Sequence, residues 1–198
     1  MKKSVFLFSF LMLGITLSAT AQNLKVDARS TSVAWKATKV SGGHNGTVGI
    51  KSGDIQMDGN KLKSAKIVLD MTNIVCLDIK DKETNGKLVG HLHSDDFFST
   101  AKNPTVTFDL SKATETRGEA GANYTITGKL TIKGITQDVT FPATVTYMNG
   151  QMKATGTMKF DRTKYEIKYN SGTFFSGLGD YMINDEVEVG FNLVTAAN

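Results

Sequence analysis

Cysteine is nearly absent from this chain of 198 residues: Cys76 stands alone. A lone thiol excludes an intramolecular disulfide and any zinc site of the paired-cysteine type. With two prolines, and 21% charged residues against 40% hydrophobic ones, the chain is neither proline-rich, collagen-like nor disordered. Charge of one sign is scarce as well. The formal net charge is +4 and the lysines are dispersed, so no basic patch marks a nucleic-acid partner. No G-x-S-x-G elbow, glycine-rich phosphate loop or H-E-x-x-H pair occurs, and the sequence calls for no cofactor and no metal. Stability must come from an ordinary apolar core, which one domain of this size can build.

Long apolar runs are missing too, with one exception. Lys2 and Lys3 precede an apolar run from Val5 to Leu17, and the small residues Ala19 and Ala21 frame a cleavage point before Gln22. This pattern predicts a secretory signal peptide over residues 1–21 and a domain over 22–198. The run is shorter than the ~20 residues a spanning helix needs. No cysteine at the cleavage point offers a lipid attachment. Loss of Lys2 and Lys3 lowers the net charge from +4 to +2. The expected address is the periplasm, and no later segment is apolar enough to embed the protein in a membrane.

What the chain does have is a period of two. Val33, Trp35 and Ala37 alternate with polar residues, as do Val48 and Ile50, then Ala65, Ile67, Leu69 and Met71. Val106, Phe108 and Leu110 continue the pattern, followed by Tyr124 to Ile132, Val139 to Tyr147, Met152 to Phe160 and Val187 to Leu193. This is the strand period, with one apolar and one polar face. Asp58-Gly59 and Asn149-Gly150 are tight-hairpin signals. The fold expected is all-β: about eight antiparallel strands that hide their apolar faces by closing into a barrel or stacking as two sheets. Alternation fails between Met71 and Pro104, where Asn85 to His93 predicts one or two helical turns and Phe97-Phe98 follows a turn. It fails again from Asp161 to Tyr181, and Thr114 to Ala122 reads as a polar loop.

Among the inward positions, bulky residues mix with small ones: Ala37, Ala65, Gly128, Ala143, Ala154 and Gly156. In a filled barrel these make room for large neighbours; in a hollow one they leave volume for a ligand. A hollow barrel would be lined by Trp35, Ile67, Leu69, Phe108, Ile126, Leu130, Phe141 and Phe160. So apolar a lining suits a hydrocarbon ligand.

Polar candidates are few. His91 and His93 lie near Asp95 and Asp96, but residues two apart on a helix point about 200° away from each other, which prevents joint ligation of a metal. His44, within Ser41 to Gly46, reads as a turn or mouth residue. Asp161-Arg162 suggests a structural ion pair; the rival is that Arg162, with Lys164, binds an anionic head group. Cys76 reads as a small buried hydrophobe.

Taken in order, Lys87 to Phe98 (KLVGHLHSDDFF), Asn103-Pro104, Gly128 to Gly134 (GKLTIKG), Asp161 to Tyr165 (DRTKY), Tyr169 to Gly172 (YNSG) and Ile183 to Val187 (INDEV) resemble the YceI family of secreted bacterial proteins. The resemblance implies a lipocalin-like, extended antiparallel β-barrel with one short helix near its mouth. It implies a long apolar ligand, a polyisoprenoid or an isoprenoid quinone, and members that commonly pair as homodimers. His91, Leu92 and Ser94 match the family's H-L-x-S, and Asp96-Phe97-Phe98 its D-F-F. His93 stands where Arg or Lys is usual, which removes a permanent positive charge. The expected function is a periplasmic carrier without catalysis, with His44, His91, His93, Arg162 and Lys164 as mouth or head-group candidates. The alternatives are an enzyme using His91, His93 and Asp95 with a metal or as acid and base, and a filled barrel that serves as an interaction module.

The leader generates the first prediction. Intact mass of the exported protein should begin at Gln22, and the protein should appear in the soluble periplasmic fraction. Retention of the Val5 to Leu17 run with membrane fractionation is the contrary result.

Overall fold

The computed structural model describes residues 21–118 and 121–197. The expected leader, Ala21 apart, lies outside these residues. Among the described residues there are nine strands: β1 (Ala21–Lys25), β2 (Ser32–Lys39), β3 (Gly42–Asp58), β4 (Lys61–Cys76), β5 (Thr105–Glu115), β6 (Tyr124–Ile132), β7 (Ile135–Met148), β8 (Gln151–Asp161) and β9 (Ile183–Val194). One α-helix, α1 (Lys82–His93), joins β4 to β5. The strands run in the order β1-β3-β2-β9-β8-β7-β6-β5-β4, and β4 pairs back onto β3. Strands β2 to β9 therefore close into an eight-stranded antiparallel barrel. The ninth, β1, was not expected. It is five residues long, precedes the first alternating run, and borrows the far half of β3, pairing with Asp54 to Asp58 where β2 has already left off at Thr47.

Local chemistry explains most of the element boundaries. Asn149 and Gly150 both have positive φ between the paired residues Met148 and Gln151, as a tight hairpin demands. Lys133 and Gly134 do the same between Ile132 and Ile135, with only the glycine to announce it. The β3–β4 turn falls on Gly59 and Asn60, one place beyond the Asp58-Gly59 signal, because Asp58 pairs with Lys61. The helix is longer than the one or two turns expected over Asn85 to His93. It starts at Lys82, because the Asp81 side chain accepts a hydrogen bond from the Thr84 N–H at 2.8 Å and caps the first turn.

A second correction concerns His44, expected in a loop and found in β3. Gly42 to Thr47 pair along β2, and Gly46 faces Cys76 of β4. A Cβ at Gly46 would lie 1.7 Å from the Val75 carbonyl oxygen, so only glycine lets the two strands approach here.

The polar face is wet and paired across strands. Thr127 meets Thr140 at 3.1 Å and Thr131 meets Thr136 at 2.8 Å, with Lys129 on Asp138 between them. Such pairs contribute roughly 0.2–1 kcal/mol each. The apolar face turns inward, and the core runs the length of the barrel from Leu24, Met57 and Met152 to Leu92, Tyr165 and Ile167.

Two ends can be told apart. The far end carries the β3–β4 and β7–β8 turns. The helix end carries the β2–β3 and β6–β7 turns, α1, and the segment from Arg162 to Met182. That segment is anchored by Arg162, which is 3% exposed. Its Nε donates to the Asn184 carbonyl, Nη1 to the carbonyls of Ile167 and Tyr169, and Nη2 to the Ile183 carbonyl and the Asp185 carboxylate. All five guanidinium N–H groups are used. The expected Asp161–Arg162 ion pair is not what forms. Asp161 instead caps the short 3-10 turn Arg162–Tyr165 by accepting from the Thr163 N–H and hydroxyl, and the ion pair is with Asp185 at 3.3 Å. Adjacent residues at a strand end point to opposite faces, which sends Asp161 and Arg162 apart.

Arg162→Met should leave four carbonyls and a carboxylate short of donors and lower unfolding free energy by about 3–5 kcal/mol. Arg162→Lys should recover only part of this, since an ammonium cannot reproduce the planar fork. Equilibrium denaturant unfolding of the two variants beside wild type checks both.

Candidate ligand-binding site

Inside the barrel lie two cavity lobes of about 110 Å³ each. The far lobe is lined by Ile55, Leu62, Val145, Met152 and Ala154 among others, the helix-end lobe by Trp35, Ile74, Leu92, Phe97, Phe98 and Phe160 among others. Leu69, Val106, Leu130, Met158 and Val189 line both. These five come from β4, β5, β6, β8 and β9 and form a waist across one continuous apolar interior. Among the described residues no polar surface faces either lobe. Cavities of this size and lining stay dry, as an engineered apolar cavity of about 150 Å³ that takes up benzene does.

The structure places all eight expected lining residues along this interior. Ile67, Phe108, Ile126 and Phe141 line the far lobe, Trp35 and Phe160 the helix-end lobe, and Leu69 and Leu130 the waist. The small residues divide into two groups. Ala65, Ala143 and Ala154 face the far lobe and Ala37 the other, leaving open volume beside them. Gly128 and Gly156 do not. A Cβ at Gly128 would lie 2.4 Å from the Phe108 ring, and one at Gly156 2.7 Å from the Phe191 ring. These glycines are beds for aromatic rings that lie across the sheet. Phe108, Phe141 and Phe191 then form a chain of edge contacts, with centroids 5.6 and 5.7 Å apart, that walls the far lobe.

The polar candidates gather at the helix end, each with its own partners. His91 sits edge-on between Phe97 and Tyr169, at 4.8 and 4.6 Å, with Nε2 3.1 Å from the Asp96 carboxylate. His93 Nδ1 meets the Thr100 hydroxyl at 3.0 Å. Asp95 accepts from Lys102 and Ser99, whose hydrogen bonds hold its carboxyl below the ordinary carboxylate range. The three members of the enzyme alternative, His91, His93 and Asp95, thus bond to three different sets of neighbours and do not converge. Lys164 is exposed on the 3-10 turn. Arg162 borders the helix-end lobe with every N–H already taken by the protein.

Two features escaped sequence reasoning. The Tyr165 hydroxyl is, among the described residues, the one buried side-chain polar atom without a hydrogen-bond partner. Burial, helped by the Asp161 carboxylate, pushes it up to about 12, so it stays a neutral donor. Its ring stands edge-on to Phe160, a lining residue of the helix-end lobe, 5.6 Å between centroids. The second feature is a trio, His44, Cys76 and Asp78, whose ligating atoms all lie within 4.8 Å of one another. The β3–β4 register brings them together, and no local spacing signals that.

Solved structures share this architecture. BcnA of Burkholderia cenocepacia superposes with a TM-score of 0.66 at 24% identity, covering 86% of this chain and 99% of that one. A polyisoprenoid binding domain from Saccharophagus degradans, implicated in plant cell wall breakdown, gives 0.62 at 15% identity over 88% and 98%. The YCEI protein of Campylobacter jejuni gives 0.54 at 16% identity over the whole of both chains. At these identities the likeness is one of fold. No curated protein matches the chain. The model of the YceI-like domain, however, matches residues 24–195, essentially all of the barrel from β1 to the end of β9. The order of motifs, the closed eight-stranded barrel and this match agree, and the chain belongs to the YceI-like domain family.

Proposed function

We propose that the protein is a periplasmic carrier for a long apolar chain, a polyisoprenoid or isoprenoid quinone, held inside the barrel. The observation that carries this reading is the interior itself: two dry lobes in line, joined at a waist, with apolar lining from end to end. The shared fold of the polyisoprenoid binding domain of Saccharophagus degradans supports the ligand class. A chain of several isoprene units is larger than either lobe, so binding requires the waist side chains to turn aside. Leu69, Leu130 and above all the unbranched Met158 can do so at little cost. The ligand's polar end belongs at the helix end, where His44, His91, His93 and Lys164 stand and the Tyr165 hydroxyl has no partner. Loading from a bilayer belongs there as well. Val40, Leu77, Phe174, Phe175 and Tyr181 are exposed on that rim, and no helix among the described residues is long and apolar enough to cross a membrane.

Native mass spectrometry followed by organic extraction of purified protein should recover a bound isoprenoid. Ala154→Phe fills the far lobe without touching the glycine beds. It should leave the fold intact and displace three or four methylenes of the chain; at about 0.8 kcal/mol each, affinity falls by about two orders of magnitude. Lipid-free wild type, with Ala154→Phe destabilised by about 1–3 kcal/mol as an overpacked core would be, is the result that overturns the reading.

Exposed Phe174 and Phe175 generate a separate expectation. Replacing both with Ser should slow uptake of isoprenoid from vesicles severalfold while equilibrium affinity for detergent-dispersed ligand stays unchanged. Stopped-flow transfer measured beside a titration separates the two.

A further inference from the structure

The geometry points to a divalent metal site of the zinc class at the helix-end rim, built from His44 Nδ1, Cys76 Sγ and an Asp78 carboxylate oxygen. The register assembles it. Gly46 faces Cys76, and the ladder continues with the Leu77 N–H donating to the Asn45 carbonyl at 2.9 Å, which sets Asp78 opposite His44. In a strand, residues two apart share a face, so Ile74 and Cys76 both turn inward; Asp78, in the bend two residues beyond the end of β4, meets His44 from across the ladder at 2.8 Å. The three side chains meet where the inward face reaches the rim. Cys76 is buried at 4%, while the side chains of His44 and Asp78 are 35% and 27% exposed, so an ion can reach the trio from solvent.

The chemistry fits an ion, and the spacing is within a small side-chain movement of what one needs. Donors on a tetrahedral ion at about 2.0–2.3 Å stand roughly 3.3–3.8 Å apart. His44 Nδ1 lies 2.8 Å and Cys76 Sγ 3.3 Å from the two oxygens of Asp78, and all three donor groups fall within 4.8 Å. A small outward turn of His44 opens the trio to an ion. The donor set, one imidazole, one thiolate and one carboxylate, suits a borderline cation and is unsuited to Ca²⁺ or Mg²⁺, which take oxygen. The Asn45 N–H donates to Asp78 Oδ1 at 2.9 Å, and Asn85 Nδ2 ties the carbonyls of Cys76 and Ile79, an outer shell that holds the ligand-bearing segment in place. Binding replaces the Cys76 thiol proton by the ion, and that proton passes to solvent. Three protein ligands leave a fourth position for water or for an oxygen of a guest molecule.

The test uses untagged, reduced protein titrated with zinc sulfate, and with cobalt(II) as a coloured probe. One ion per chain is expected, with thiolate-to-cobalt charge-transfer absorption and a rise in Tm with zinc. Cys76→Ser should abolish the absorption. His44→Gln and Asp78→Asn should each weaken zinc by more than about 100-fold, beyond what loss of an outer-shell partner costs. Should the buried Cys76→Ser fail to fold, the part-exposed His44→Gln still decides the matter. Binding below one ion per chain overturns the site, as does equimolar binding that survives His44→Gln unchanged.

Discussion

Everything inside this protein depends on the seam between β3 and β4. Their pairing runs from Gly46–Cys76 to Asp58–Lys61 and joins the two ends of an eight-strand ring that would otherwise expose two long edges. Once the ring is closed, strand number and tilt set its width, and side chains must fill whatever width results. The register shifts three times along the seam, between Val48 and Gly49, between Ile50 and Ser52, and between Gln56 and Met57. Bulges bend and twist a strand, and these let β3 serve β4 along its length while giving one half to β2 and the other to β1.

Given a fixed width, residue size decides what is wall and what is space. Gly128 and Gly156 receive the rings of Phe108 and Phe191, so apolar bulk lies flat on the sheet there and does not project across the lumen. Ala65, Ala143 and Ala154 project little into the lumen, and a lobe remains beside them. At the waist the shared lining is leucine, valine and methionine, with no alanine or glycine among it. Which strand positions carry the small side chains thus sets where the lumen is wide.

The architecture was legible because its signal is local: alternation every second residue, and Asn-Gly in a turn. The eight lining residues could be named for the same reason, since parity along a strand fixes which side faces in. What parity cannot say is which facing residues fill each other's space, and so Gly128 looked like Ala154. Partners distant in sequence were equally opaque. Asp161 stands beside Arg162 in the chain, yet the guanidinium reaches Asp185 and four carbonyls that arrive on β9 and the segment before it. His91 and His93 drew attention as a pair although helical geometry separates them. His44 and Asp78 did not, because the β3–β4 register that faces them is set more than thirty residues apart.

The two ends of the barrel differ in a way that follows from this register. At the far end the β3–β4 and β7–β8 turns are tight hairpins, and the interior is sealed by side chains such as Leu24, Met57 and Met152 that are almost wholly buried. At the helix end two connections are long, the one that carries α1 and the one from Arg162 to Met182. They bring His91, His93, the unpartnered Tyr165 hydroxyl and the exposed side chains of Tyr169, Phe174, Phe175 and Tyr181 to one rim. An interior that offers a guest no hydrogen bond can accommodate only its hydrocarbon part, because a polar group moved there from water would cost several kcal/mol without a partner. On the carrier reading proposed above, the head of an amphiphilic guest is thereby directed out of the interior to a rim, and the connections that carry α1 and Arg162 to Met182 make the helix end the rim that receives it. No specific contact along the hydrocarbon chain is needed to set that orientation.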